Sequence, residues 1–212
     1  MRRAIKPEFQ EFPVFDEAVI HAEEGPRMCG LAVVRTILDY QFGIKRSEEE
    51  AIDRFCVLAG YSGTTSQSPN RIRASKRWFC EHAPGYFPSQ IAQLVRQEVR
   101  KPVRVFCSRH GSINLLDQLL NEHQVMPVTH QMVSYDEDGS REPRGHYMFY
   151  CGNNGPLIRF FDPSVDEGFK ILERKHFLDM WTNPLAGNER WYMAILPERV
   201  KLDPHHFQGK YI

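Results

Sequence analysis

Cys29-Gly30, Gly145-His146 and Asp162-Pro163 are the residues of this chain best placed to do covalent chemistry together. A thiol, an imidazole and a carboxylate are the parts of nucleophilic acyl transfer on an amide or ester. The sulfur attacks the carbonyl carbon, the ring carries the proton, and the carboxylate fixes the ring. Each type alone says little, because the chain has five cysteines and nine histidines. Context gives the set its weight: each member falls at the edge of a predicted regular element.

Cys29 opens the run CGLAVVRTILDY, whose Leu31, Val34 and Leu38 repeat with helical period. A cysteine in a first helical turn meets unpaired backbone N–H groups and the positive end of the helix dipole. Both favour a thiolate, and the N–H groups can also hold an oxyanion. Gly30 leaves room for a substrate to approach. Read alone, Cys29 is equally a small core residue.

His146 lies in GHYMFYC, which predicts a strand over 145–151 with His146, Met148 and Tyr150 on one face. His130, in the preceding strand, is its competitor. Asp162 ends the strand LIRFF (157–161), joined to the His146 strand by the turn Asn153-Asn154-Gly155-Pro156. A hairpin brings Asp162 within reach of the ring. Read alone, Asp162-Pro163 is a turn initiator.

Several other elements must position these three. Pro7, Pro13 and Pro26 mark residues 1–28 as extended. Gly43 ends the first helix, and Ser47 with Glu50 forms a capping box for a helix to about Leu58. Residues 60–70 read as a loop, 71–81 as a basic helix and 89–99 as a helix led by Ser89. Val103–Cys107 reads as a strand. Ser112 caps a helix whose Leu115, Leu116, Leu119 and Leu120 form an apolar face. Residues 124–135 predict a strand in which Pro127 demands an edge or a late start. Residues 136–140 form a turn, 173–182 a helix and 191–196 a closing strand. Helices first and an antiparallel sheet second is the α+β arrangement, a helical half packed on a C-terminal sheet.

Composition narrows the function. Lys plus Arg and Asp plus Glu are both 27, so no global field selects nucleic acid or an anionic membrane. The basic run Arg71–Arg77, beside Trp78-Phe79, reads as the solvated face of a helix. Cys29, Cys56, Cys80, Cys107 and Cys151 are odd in number and form no CxxC pair, which predicts buried free thiols in a reducing compartment. No secretory signal and no apolar run of about 20 residues is visible. The expectation is a cytoplasmic protein, or one exported without a Sec-type signal. His205-His206 cannot supply four metal ligands, and phosphate-loop and dinucleotide motifs are absent, so neither metal nor cofactor is expected. His176 and Trp181 read as packing or surface residues.

At these residues the chain resembles the papain-like cysteine peptidase superfamily, most closely its bacteriocin-processing, C39-like branch. The resemblance rests on Cys29-Gly30, SINLLDQLLNEHQVMPVTHQMV, Gly145 to Tyr150, Phe160-Phe161-Asp162-Pro163 and Phe177-Leu178-Asp179-Met180-Trp181. The layout is shared with YopT-like and avirulence-type bacterial effector proteases. It implies a papain-like fold across 1–212 as a single domain, with 60–88 as an insertion. It also implies a Cys29–His146–Asp162 triad, with Gly30 and Gly145 lining the substrate. Where the family carries Asp before the nucleophile, this chain has Met28. Where the family carries an oxyanion-donating Gln six residues earlier, it has Glu23. A carboxylate donates only when protonated. The donor candidates are therefore Glu23 in its protonated form, His21, Arg27 or a backbone N–H.

What this implies is a thiol hydrolase acting on a protein or peptide: a cysteine peptidase, a candidate injected effector. The same triad serves a glutamine deamidase, a transglutaminase or another amidase. A non-catalytic binding module on the same fold is the reading from another class.

Overall fold

Four helices precede the first strand among the residues described by a computed structural model, namely 28–61, 69–82, 87–100, 102–135, 141–164, 169–183 and 186–212. They are α1 (Cys29–Phe42), α2 (Glu48–Leu58), α3 (Pro69–His82) and α4 (Pro88–Glu98). Gly43 closes α1 at φ 65°, a left-handed conformation that costs a glycine nothing. The capping box of α2 is formed: Ser47 Oγ accepts from the Glu50 N–H at 3.2 Å and Glu50 Oε2 from the Ser47 N–H at 2.8 Å. Ser89 does not lead α4. Pro88 takes the first helical position, where its missing N–H costs nothing, and Gln90 Oε1 accepts from the Phe87 N–H at 2.9 Å. The basic helix also begins earlier than 71, at Pro69.

Helix α3 lies on α2. Cys56 and Cys80 meet with their sulfurs 3.9 Å apart, and the Tyr61 and Phe79 rings are 5.2 Å apart. The basic run is paired with the acids of α2: Arg73 with Glu49, Lys76 with Asp53, Arg77 with Glu48. These three cations are therefore engaged with carboxylates of the neighbouring helix.

The chain then crosses into a seven-stranded antiparallel sheet. In chain order come β1 (Val103–Ser108), α5 (Ile113–Asn121), β2 (Pro127–Tyr135), β3 (Arg141–Asn153), β4 (Leu157–Phe161), β5 (Phe169–Glu173), α6 (Arg174–Trp181), the two-residue strands β6 (Thr182–Asn183) and β7 (Glu189–Arg190), β8 (Tyr192–Pro197) and β9 (Gly209–Tyr211). The sheet order is β5-β4-β3-β2-β8-β1-β9, while β6 and β7 form a separate ribbon. Pro127 is the first residue of β2, the late start that a missing N–H requires. Strand β2 is not an edge: it lies between β3 and β8. Strands β5 and β9 were not expected from the sequence.

One apolar core joins the helices to the sheet. Ser112 caps α5, whose four leucines are buried. Trp181 is fully buried in α6, and His176 beside it is exposed. The Trp181 indole N–H donates to the Trp191 carbonyl at 2.6 Å. Its ring lies so close to Gly111 that a Cβ there would collide with it and come within 2.8 Å of the Arg190 carbonyl. Only glycine allows that approach. The turn predicted at 136–140 and most of the extended segment 1–28 lie outside the described residues.

Candidate active site

Helix α1 packs against β3, α2 and α4, and its C-terminal end is tied to the sheet by Gln41, whose Nε2 donates to the Ile195 carbonyl at 2.6 Å. At its N-terminal end the N-cap residue, Met28, makes no side-chain cap. The first intrahelical bonds run from the Leu31 and Ala32 N–H groups to the Met28 carbonyl. The N–H groups of Cys29 and Gly30 come before those bonds, where a helix turns its orphan donors outward. Helices α2 and α5, by contrast, have those donors covered by serine.

His146 stands on β3 opposite Gln131 of β2, beside an irregularity where Gln131 pairs with His146 but Val133 pairs with Pro143. Such bulges re-aim side chains near functional sites. Residues 146–151 are buried on both faces of the strand, and His146 is 3% exposed.

Asp162 follows the last residue of β4 and is likewise buried. The His146 Nε2–Asp162 Oδ1 distance is 2.7 Å. The Cys29 side chain is the ring's other hydrogen-bonding partner. Thiol, imidazole and carboxylate thus lie in one chain of hydrogen bonds drawn from α1, β3 and the end of β4.

Electrostatics follow from this geometry. Burial alone would lower the His146 pKa, but the hydrogen bonds to Asp162 and Cys29 outweigh it and raise it to about 9. Burial would raise Asp162. Hydrogen bonds from His146 and Ser164, the charge on His146 and a bond from Lys170 instead hold it well below the usual carboxylate range. The site therefore holds an imidazolium against a carboxylate.

The competing groups sit in other surroundings. His130 pairs across the ladder with Tyr147, one residue out of step with His146. Its Nδ1 lies 2.8 Å from the Met132 sulfur, and its ring is edge-on to Tyr147 and Trp191. Burial and the charge of His146 push it down to about 4. Burial pushes Cys107 and Cys151 up to about 12, and a hydrogen bond with Cys80, then burial, pushes Cys56 up. All five cysteines are buried and outside any disulfide.

Gly145 is exposed, and a Cβ there would make ordinary contact with the His130 ring at 3.5 Å. Space does not demand a glycine at that position. Gly30 is buried in the first turn of α1. His21, Glu23 and Arg27 lie outside the described residues. Among the described residues no group of three His, Cys, Asp or Glu could hold a metal, and His206 Nε2 meets the Gln118 amide oxygen at 2.8 Å. No helix among them is long and apolar enough to cross a membrane.

Two residues around Asp162 escaped the reading of the sequence. Ser164 donates both its N–H and its hydroxyl to Asp162 Oδ1, at 2.9 and 2.6 Å. Lys170 Nζ donates to Asp162 Oδ2 at 2.9 Å. The available signal was the β-rich run Phe169-Lys170-Ile171-Leu172, which follows Asp-Glu-Gly and reads as another hairpin strand.

No family model matches the chain, and no curated protein matches it. Among solved structures it is similar to the peptidase domain of Streptococcus ComA, a bifunctional ABC transporter involved in a quorum-sensing pathway. The TM-score is 0.51 at 15% identity, covering 84% of this chain and 97% of that domain. At this identity the likeness speaks for the fold: the chain has the papain-like, C39-like α+β peptidase fold.

Proposed function

We propose that the chain is a cysteine hydrolase of peptidase type acting on a protein or peptide substrate. The observation that carries the proposal is the hydrogen-bonded chain Cys29–His146–Asp162, at the start of a buried helix whose N-cap residue, Met28, makes no side-chain cap. The Cys29 sulfur attacks the carbonyl carbon, and the imidazolium at His146 protonates the leaving amine as the acyl-enzyme forms. His146 then takes a proton from water as it attacks the thioester, and the sulfur leaves. Asp162 holds the ring in orientation throughout. The Cys29 N–H, at the start of α1, is available to the developing oxyanion; the side-chain candidates His21, Glu23 and Arg27 lie outside the described residues.

A peptide bond is preferred to a side-chain amide because the similar solved structure is a peptidase domain. Delivery as an injected effector, implied by the shared effector-protease layout, would make the acceptor a host protein.

The test is iodoacetamide labelling across pH, with the modified cysteine identified by mass spectrometry. Selective labelling of Cys29 below about pH 7, lost in His146→Ala, supports the reading. Slow labelling spread over several thiols and titrating near pH ~8.5 removes it. A screen of peptides against glutamine side-chain amides then separates peptidase from deamidase.

A further inference from the structure

Asp162 carries more donors than orienting one histidine requires. Oδ1 receives His146 Nε2 at 2.7 Å, the Ser164 N–H at 2.9 Å and the Ser164 hydroxyl at 2.6 Å. Its other oxygen receives the Lys170 ammonium at 2.9 Å. Three donors on one oxygen, two of them local to the Asp-Pro-Ser turn, already fix the carboxylate. The lysine therefore adds charge more than it adds orientation. It reaches in from β5, the outermost strand on that side, with its side chain 42% exposed while that of Asp162 is 6% exposed.

We propose that Lys170 is a positioning residue of this site: by sharing the Asp162 charge it sets how tightly Asp162 holds the proton on His146. The proposal rests on the triad reading above. With a thiolate at Cys29, the four groups Cys29, His146, Asp162 and Lys170 alternate in sign and sum to zero. Without Lys170 the same buried array would carry a net negative charge, and His146 would keep its proton more tightly. A histidine that must give its proton to a leaving amine works best when that proton is not over-held. Lys170 moderates a pair that burial would otherwise make too strong.

The titratable and charged groups facing His146 are Cys29 from α1, Asp162 after β4 and His130 from β2, with Lys170 acting through Asp162. His130 is held at about 4 and stays neutral above that, so it does not blur the measurement.

The experiment is an NMR titration of His146 in the full chain with labelled histidine, its signal assigned with His146→Asn. Lys170→Met should raise the His146 midpoint by roughly half to one pH unit. Lys170→Arg should restore the wild-type value. A midpoint in Lys170→Met that is unchanged or lowered, with the melting temperature kept, overturns the proposal. Lys170→Gln gives the same comparison if the methionine variant fails to fold. The midpoint is read from the ring itself, so it is independent of whether Cys29 is the nucleophile. Labelling tests that separately.

Discussion

Two of the regions where ionised side chains join elements of this molecule differ in consequence. Between α2 and α3 the Lys76–Asp53 and Arg73–Glu49 pairs lie at the surface, with the Asp53 and Glu49 side chains 61% and 58% exposed, while the Glu48 carboxylate of the third pair is buried against Arg77. Between β3, β4 and β5 the His146–Asp162 pair has side chains 4% and 6% exposed. At the two surface pairs water screens the charges, and they add alignment to a contact that Cys56, Cys80, Tyr61 and Phe79 already make. In the second region, burial makes every charge answer to its neighbours, so that two groups of opposite sign hold each other ionised. The same residue types are trim at one place and machinery at the other. Depth is what separates them.

The largest effect that would break this contrast is on turnover. Against a substrate returned by the peptide screen, Cys29→Ala should abolish hydrolysis. His146→Ala should lower kcat/KM at least about a thousandfold, because members of such a set act as a unit. Next is stability. Asp162→Asn leaves a buried imidazolium without its counter-charge and should cost about 3–5 kcal/mol in urea unfolding near neutral pH. Asp53→Asn, at the screened pair, should cost under about 1 kcal/mol by the same measurement. Equal costs would erase the distinction.

The pH dependence sharpens it. His146 is raised above its unfolded value near 6.5, so its contribution is complete below that pH and is lost as pH rises through about 9. Asp162 is lowered, so its contribution is complete above about pH 4 and is lost as pH falls toward its folded value. Unfolding free energy should therefore have a plateau bounded by these two groups, and Asp162→Asn should flatten its alkaline edge.

Much of the fold could be read from the chain. Capping serines, left-handed glycines and alternating apolar runs are local signals, and Ser47, Gly43, Ser112 and the β3–β4 hairpin stand where they put them. The contacts between Cys29, His146 and Asp162 were also legible, because residue type and element context agreed. Signals set by distant partners were not. Strand β9 forms because β1 offers it an edge, and nothing within Gly209–Tyr211 announces that. Ser89 looked like a cap, but Pro88 was already committed to the first turn. Lys170 read as one lysine among many until β5 laid it beside Asp162.

The pairing within the site also has an order in time. His146 and Asp162 are 16 residues apart and are joined through one hairpin, which closes a short loop at small entropic cost. Cys29 comes from far upstream, on a helix that reaches β3 only when the helical half docks on the sheet. The proton-handling half of the site can thus assemble early and stay harmless. On this topology the sulfur is expected to join last, so that the activated pair exists only once the helical half has docked on the sheet.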